Sequence, residues 1–140
     1  MTGRAFLDTN VLVYAFDAHS PGKQNSAIKL VQSLAVEQTV RVISTQVMQE
    51  AYSALTRRLG LDGTHALTLL KNMESSGIRV QILDVPLIWR SAARSTADKL
   101  SFWDSLIVET ALAAQCTRLY TEDLQDGRTF GSLTVVNPFA

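Results

Sequence analysis

Apolar residues arrive along this chain in two rhythms. Ala5-Phe6-Leu7 is an unbroken apolar run stopped by Asp8-Thr9-Asn10, which predicts a strand buried on both faces with an acid at its carboxyl end. Val11, Leu12, Tyr14, Ala15 and Phe16 predict a short helix closed by Asp17, a solvated or turn residue, before the Ser20-Pro21-Gly22 break. From Lys23 to about Gln38, apolar positions at Ala27, Ile28, Leu30, Val31, Leu34 and Ala35 recur at helical spacing. Val40 to Ser44 is short and β-branched, a second strand. Ser44 or Thr45 then caps a helix whose stripe runs through Val47, Met48, Ala51, Tyr52, Leu55 and Leu59 to Gly60. Asp62 starts another helix that ends at Ser75-Ser76-Gly77, and Ile78 to Leu83 alternates as a third strand. Asp84 caps a helix with Pro86 in its first turn, running to about Lys99. Ser101-Phe102-Trp103-Asp104 opens a strongly apolar helix to Cys116, and Leu119 to Thr121 and Leu133 to Val136 are the last strands. Strands alternating with helices predict an α/β fold: a mainly parallel central sheet of about five strands with helices on both faces. No linker or internal repeat divides residues 1–140, so they are read as a single domain.

Composition adds limits. The 140 residues can bury most of their apolar surface without a disulfide or structural metal, and the shares of 46% hydrophobic and 19% charged residues are those of a soluble globular domain. Thirteen basic and thirteen acidic residues give a net charge of zero, so contact with nucleic acid must come from a local patch. The single Cys116, and an N-terminus without the pattern of a signal peptide, predict a cytoplasmic protein. No apolar stretch approaches the roughly 18 residues of a bilayer span, which gives no support to a membrane role.

Four acids stand near strand ends or on the helices that follow them: Asp8, Glu50, Asp104 and Asp123. Each also has a local explanation. Asp8 at a strand tip can cap the next helix, although strand tips of open α/β sheets are also where ligands bind. Glu50 fits a solvated helix face. Asp104, three residues after Ser101, comes close to a capping box, and Asp123 can be a turn residue.

Taken in order, Phe6-Leu7-Asp8-Thr9-Asn10-Val11-Leu12-Val13-Tyr14, Gln46-Val47-x-x-Glu50, Leu100-Ser101-x-x-Asp104-Ser105-Leu106-Ile107 and Leu119-Tyr120-Thr121-Glu122-Asp123 resemble the PIN-domain family. Within it, they resemble most the bacterial VapC-type toxins, ribonucleases of type II toxin–antitoxin pairs. The resemblance runs from about Ala5 to Phe139, and Asn137-Pro138-Phe139 is similar to an ending found in part of the family. It implies that Asp8, Glu50, Asp104 and Asp123 gather in one pocket, bind Mg²⁺ or Mn²⁺ and carry hydrolysis of RNA to a 5′-phosphate and a 3′-hydroxyl. It implies that Thr9, Asn10 and Thr121 orient carboxylates or water, whereas Glu122 fills a variable position outside the site. It also implies a cognate antitoxin as partner. A homodimer is expected from the family and from more apolar helical surface than one modest sheet covers.

A carboxylate set suits Mg²⁺, which prefers oxygen ligands and keeps several waters. His19 and His65 lack ligand spacing and are expected at the surface, which disfavours zinc. No Walker loop or Gly-x-Ser-x-Gly elbow is present, so NTPase and serine-hydrolase chemistry find no support. Candidate phosphate contacts are Arg57 with Arg58 and Arg90 with Arg94. Tyr14, Phe16 and Trp103 are candidate base-stacking rings, with core packing the expected role of Phe16 and Trp103. Two alternatives to a toxin ribonuclease stay open: an RNA-binding or scaffolding domain without turnover, and a processing nuclease without toxicity.

Overall fold

The computed structural model describes residues 3–140; Met1 and Thr2, which the sequence reading includes in the domain, lie outside them. The elements run β1 (Arg4–Leu7), α1 (Thr9–Tyr14), α2 (Pro21–Val36), β2 (Val40–Ser44), α3 (Thr45–Arg57), α4 (Gly63–Ser75), β3 (Arg79–Gln81), α5 (Val85–Asp98), α6 (Phe102–Ala113), β4 (Arg118–Tyr120), β5 (Thr129–Phe130) and β6 (Leu133–Val136). The strands form one sheet in the order β3-β2-β1-β4-β6-β5, parallel except for the β5–β6 pair. Ala5, Phe6 and Leu7 are consecutive and fully buried. Because neighbouring strand residues point to opposite faces, both faces of β1 must be covered. The main core gathers around this strand through Ile43, Val47, Ile107, Leu119 and Val135, and a smaller cluster of Val13, Ala51 and Leu70 joins α1, α3 and α4.

The α/β class and the mainly parallel sheet stand as expected, with one strand added. β5 pairs with β6 through a two-residue Gly131-Ser132 turn, with Gly131 at φ 59°, a left-handed conformation that glycine adopts without strain. β3 is shorter than the alternation predicts. Its last residue, Gln81, is in register with Ser44, where β2 turns into α3, so Ile82 has no strand to pair with and is exposed. Helices α2 and α6 stop short of Gln38 and Cys116. At each end a glutamine, Gln38 or Gln115, takes a left-handed conformation (φ 61° for both). Thr39 N–H and Cys116 N–H then reach back to the Leu34 and Ala111 carbonyls, the bonds of a Schellman ending.

The strand order reverses at β1: the chain builds β2 and β3 to one side, then returns to place β4 and β6 on the other. The carboxyl ends of β1 and β4 therefore flank the crevice in which open α/β sheets hold ligands. Asp8 leaves one of these strands and Thr121 the other, and Asp8 N–H extends the ladder to the Tyr120 carbonyl at 3.0 Å.

Candidate active site at the switch point

Asp8 is 6% exposed and has two jobs. As N-cap of α1, its Oδ1 accepts the Thr9 N–H at 2.7 Å, while its Oδ2 accepts the Thr121 hydroxyl at 2.7 Å. The Asp123 N–H donates in turn to Thr121 Oγ1 at 3.1 Å, which ties the turn after β4 to the tip of β1. Two residues of α1 extend the network sideways. Thr9 Oγ1 donates to Glu50 Oε1 at 2.9 Å, and Asn10 Nδ2 donates to Asp123 Oδ2 at 3.1 Å. Glu50 reaches this position because Ser44 caps α3 directly at the end of β2, its hydroxyl accepting the Val47 N–H, so the second turn of α3 comes close to the β1 tip. Gln46, one turn earlier and buried, adds its Nε2 to Glu50 Oε1 at 3.4 Å.

Asp8, Thr9, Asn10, Glu50 and Asp123 line one open cavity of about 280 Å³, with Val13, Tyr14, Ala54, Arg58 and Glu122 completing its wall. Asp104 is not in the lining, yet its charge acts on Asp123. Ser101 Oγ accepts the Asp104 N–H at 3.0 Å and caps α6, and no reciprocal bond from the Asp104 carboxylate is made among the described residues. Burial pushes the Asp8 carboxyl up to about 6; the Thr121 and Thr9 hydrogen bonds oppose the rise and the charges of Asp123 and Glu50 add to it. Asp123 is also raised, first by burial, then by the charges of Asp104 and Glu122, against the Asn10 hydrogen bond.

The acids meet only neutral donors and stand apart: among the described residues no three of the His, Cys, Asp and Glu side chains share one point at ligating distance. The donor chemistry nonetheless fits a hard divalent cation. Carboxylates are joined by two buried amide oxygens without a hydrogen-bond donor, Asn10 Oδ1 and Gln46 Oε1, and Mg²⁺ needs only one or two carboxylates while it keeps its waters.

A family model, the PIN domain, matches residues 5–126. This chain belongs to the PIN-domain family. The PIN fold is shared with solved structures of low sequence identity. One is a toxin–antitoxin complex from Klebsiella pneumoniae, 22% identical, with a TM-score of 0.68 over 96% of this chain and 97% of that one. A second is VapBC2 from Rickettsia felis bound to a DNA fragment from its promoter, 18% identical, with a TM-score of 0.66 over 94% and 96%. A third is VapC20 of Mycobacterium tuberculosis, a toxin that cleaves the sarcin–ricin loop, 20% identical, with a TM-score of 0.64 over 82% and 86%. Among curated proteins none matches the sequence closely enough to count as a relative.

The remaining candidates of this PIN chain divide sharply. Arg58 lines the cavity and Arg57 is exposed beside it. Arg94 is held by Glu109 at 2.9 Å and Asp98 at 2.8 Å, and Arg90 lies 3.8 Å from Glu109, so both face acids on α5 and α6. Phe16 and Trp103 are exposed, not packed in the core as expected; Trp103 is 62% exposed and sits at the open start of α6, edge to face with Phe102. Asp17 is buried rather than solvated, its Oδ1 accepting the His19 N–H in the turn after α1. Sequence reasoning left out Glu122, which lines the cavity and binds Lys23. Lys23 and Glu122 lie 99 residues apart, so no local pattern links them.

Proposed function

We propose that this PIN domain is a metal-dependent endoribonuclease and the toxin of a toxin–antitoxin pair, with residues 1–140 acting as one nuclease domain. One observation carries the proposal: a buried acid at the switch point of the sheet, its pKa pushed up to about 6, shares a hydroxyl and amide network with Glu50 and Asp123, and none of the bonds described for these three acids comes from a cation of the chain. Charge left unmatched in this way suits a cation from outside. Asp8, Glu50 and Asp123, with Asp104 beside Asp123, would hold Mg²⁺ or Mn²⁺. Such an ion would neutralise charge and lower the pKa of a bound water, which makes that water the better nucleophile that hydrolysis of a phosphodiester needs. Thr9, Asn10 and Thr121 fix the directions of the carboxylates, and the Thr121 hydroxyl keeps Asp8 Oδ2 turned toward β4. Arg58 is the cavity's own candidate for a phosphate contact, with Arg57 next to it.

The fold shared with VapC20, VapBC2 and the Klebsiella complex supports the toxin role and a small protein antitoxin as partner. An antitoxin that offers an arginine to the cavity would match carboxylate geometry and replace the cation's charge. No helix among the described residues is long and apolar enough to cross a membrane, which is compatible with the cytoplasmic location we propose. The rival function is RNA binding without turnover. Incubation of a structured RNA pool with Mg²⁺ or Mn²⁺, against EDTA and Asp8→Asn controls, decides between them: cleavage lost in both controls supports the nuclease, and binding without cleavage refutes it. Growth arrest on expression, relieved by a small neighbouring reading frame, tests the toxin role. Light scattering at tens of micromolar, an order-of-magnitude choice set against ordinary micromolar affinities, tests the homodimer.

A further inference from the structure

Glu122 is the acid of the cavity wall that the network does not use, and it holds a lysine. Lys23 Nζ lies 2.8 Å from Glu122 Oε2 and 3.2 Å from the Tyr14 hydroxyl, which itself donates to Glu122 Oε1 at 3.1 Å. The ammonium stands 4.7 Å above the Tyr14 ring and 5.6 Å from that of Phe139, and the two rings meet edge to face at 5.1 Å. Four distant parts of the chain converge here: the end of α1, the start of α2, the segment after β4 and the tail after β6. Tyr14 and Glu122 belong to the cavity wall as well, so Lys23 sits beside the acids without touching them.

The Lys23 side chain is 42% exposed, and an ion pair this open adds little to fold stability. Glu122 meanwhile places one more negative charge beside Asp123. An RNA strand that enters such a cavity is a polyanion facing acids, and its phosphates need cations at the rim. Arg58 supplies one in the wall built by α3. Lys23 is suited to supply another, because an ammonium on a flexible stem can exchange one oxyanion for another, while the two rings keep it in place.

We propose that Lys23 is a phosphate-binding residue of the substrate track: a backbone phosphate of single-stranded RNA takes the place of Glu122 on the ammonium, and Glu122 holds the lysine ready when no RNA is bound. This rests on the ribonuclease function proposed above. The experiment is fluorescence anisotropy of a short labelled single-stranded RNA of mixed sequence, titrated in EDTA at several KCl concentrations. Lys23→Met and Lys23→Gln should weaken binding of every sequence tested and lower the slope of log affinity against log salt by about 0.7, the loss of one phosphate contact on a single strand. Lys23→Arg should keep the wild-type slope, and Glu122→Gln, which removes the competing carboxylate, should tighten binding. Thermal melts establish that each variant is folded, and Lys23→Gln preserves side-chain hydrogen bonding if Lys23→Met does not fold. RNA binding by the wild type with unchanged affinity and slope in both neutral variants would overturn the Lys23 contact and leave the nuclease standing. No RNA binding by the wild type either in EDTA or with Ca²⁺ in its place would overturn both.

Discussion

Two clusters of charge in this molecule use the same residue types in opposite ways. Between α5 and α6, Glu109 is only 13% exposed on its side chain, yet Arg94 meets it at 2.9 Å, Arg90 lies 3.8 Å away, and Asp98 takes the other side of Arg94. At the carboxyl ends of β1 and β4, Asp8 is buried as deeply, but its partners are a backbone N–H and a hydroxyl, and the nearby charges are negative. The first cluster is balanced within the chain and holds two helices together. The second is left unbalanced at the tips of two central strands, a state that costs stability and is tolerated at sites which await a ligand of opposite charge.

The sharpest way to break this contrast is Asp8→Asn. Loss of a ligand to a cation that supplies several kcal/mol of transition-state stabilisation should lower RNA cleavage by about two to three orders of magnitude. The melting temperature of the metal-free protein should hold or rise, because a strained charge is gone; a fall in stability with cleavage intact would make Asp8 a simple helix cap.

The pH dependence follows from the same group. Asp8 titrates near 6 in the folded chain against 3.8 ordinarily, so between about pH 4 and 6 the folded state keeps a proton that the unfolded state has lost. Stability therefore falls as pH rises through that window, by up to about 3 kcal/mol from a shift of this size. The difference between wild-type and Asp8→Asn denaturation curves, measured without metal from pH 4 to 7, should show this decline; a flat difference would contradict it.

Mn²⁺ should reverse the cost. Wild type should gain about 2.7 kcal/mol at a hundredfold excess of ion over its Kd, and Asp8→Asn and Asp104→Asn should gain much less. An undiminished gain in Asp104→Asn would leave that residue as a helix-terminal acid alone, worth about 0.3 to 1 kcal/mol through the dipole of α6.

The balanced cluster should answer in the opposite sense. Glu109→Ala leaves Arg94 with Asp98 alone and removes the link between the helices, and should cost about 1 to 3 kcal/mol of stability in urea melts, with RNA cleavage per folded molecule unchanged. A large loss of cleavage would mean that the two clusters are not separate.

Much of this was legible because it is written locally. The apolar run before Asp8, the cap residues Ser44, Asp62, Asp84 and Ser101, and the alternation of strands with helices all reappear where pattern placed them. Helix ends were harder, since the left-handed residues that stop α2 and α6 are glutamines, which give none of the warning a glycine does. The Gly131-Ser132 turn was a usable hairpin signal that went unread beside such short strands. For the candidate site, the family resemblance pointed to the acids, each of which had a local structural explanation by itself, but whether an arginine is spent on a neighbour is a tertiary fact: Arg94 is paired, Arg58 lines the cavity, and their sequence surroundings do not differ in any way that says so. Glu122 shows the same limit, since its partner lies in another helix.

The central place of β1 also sets a hierarchy of motion. Its amides are hydrogen-bonded to β2 on one side and β4 on the other beneath buried side chains on both faces, and the Asp8 N–H continues the ladder to Tyr120. In deuterated water these amides should exchange only when the whole molecule unfolds, whereas those of the turn around Asp123, exposed and held by single bonds, should exchange by local opening. Asp8 is thus a fixed post, and the turn that carries Asp123 is the side of the cavity expected to open first.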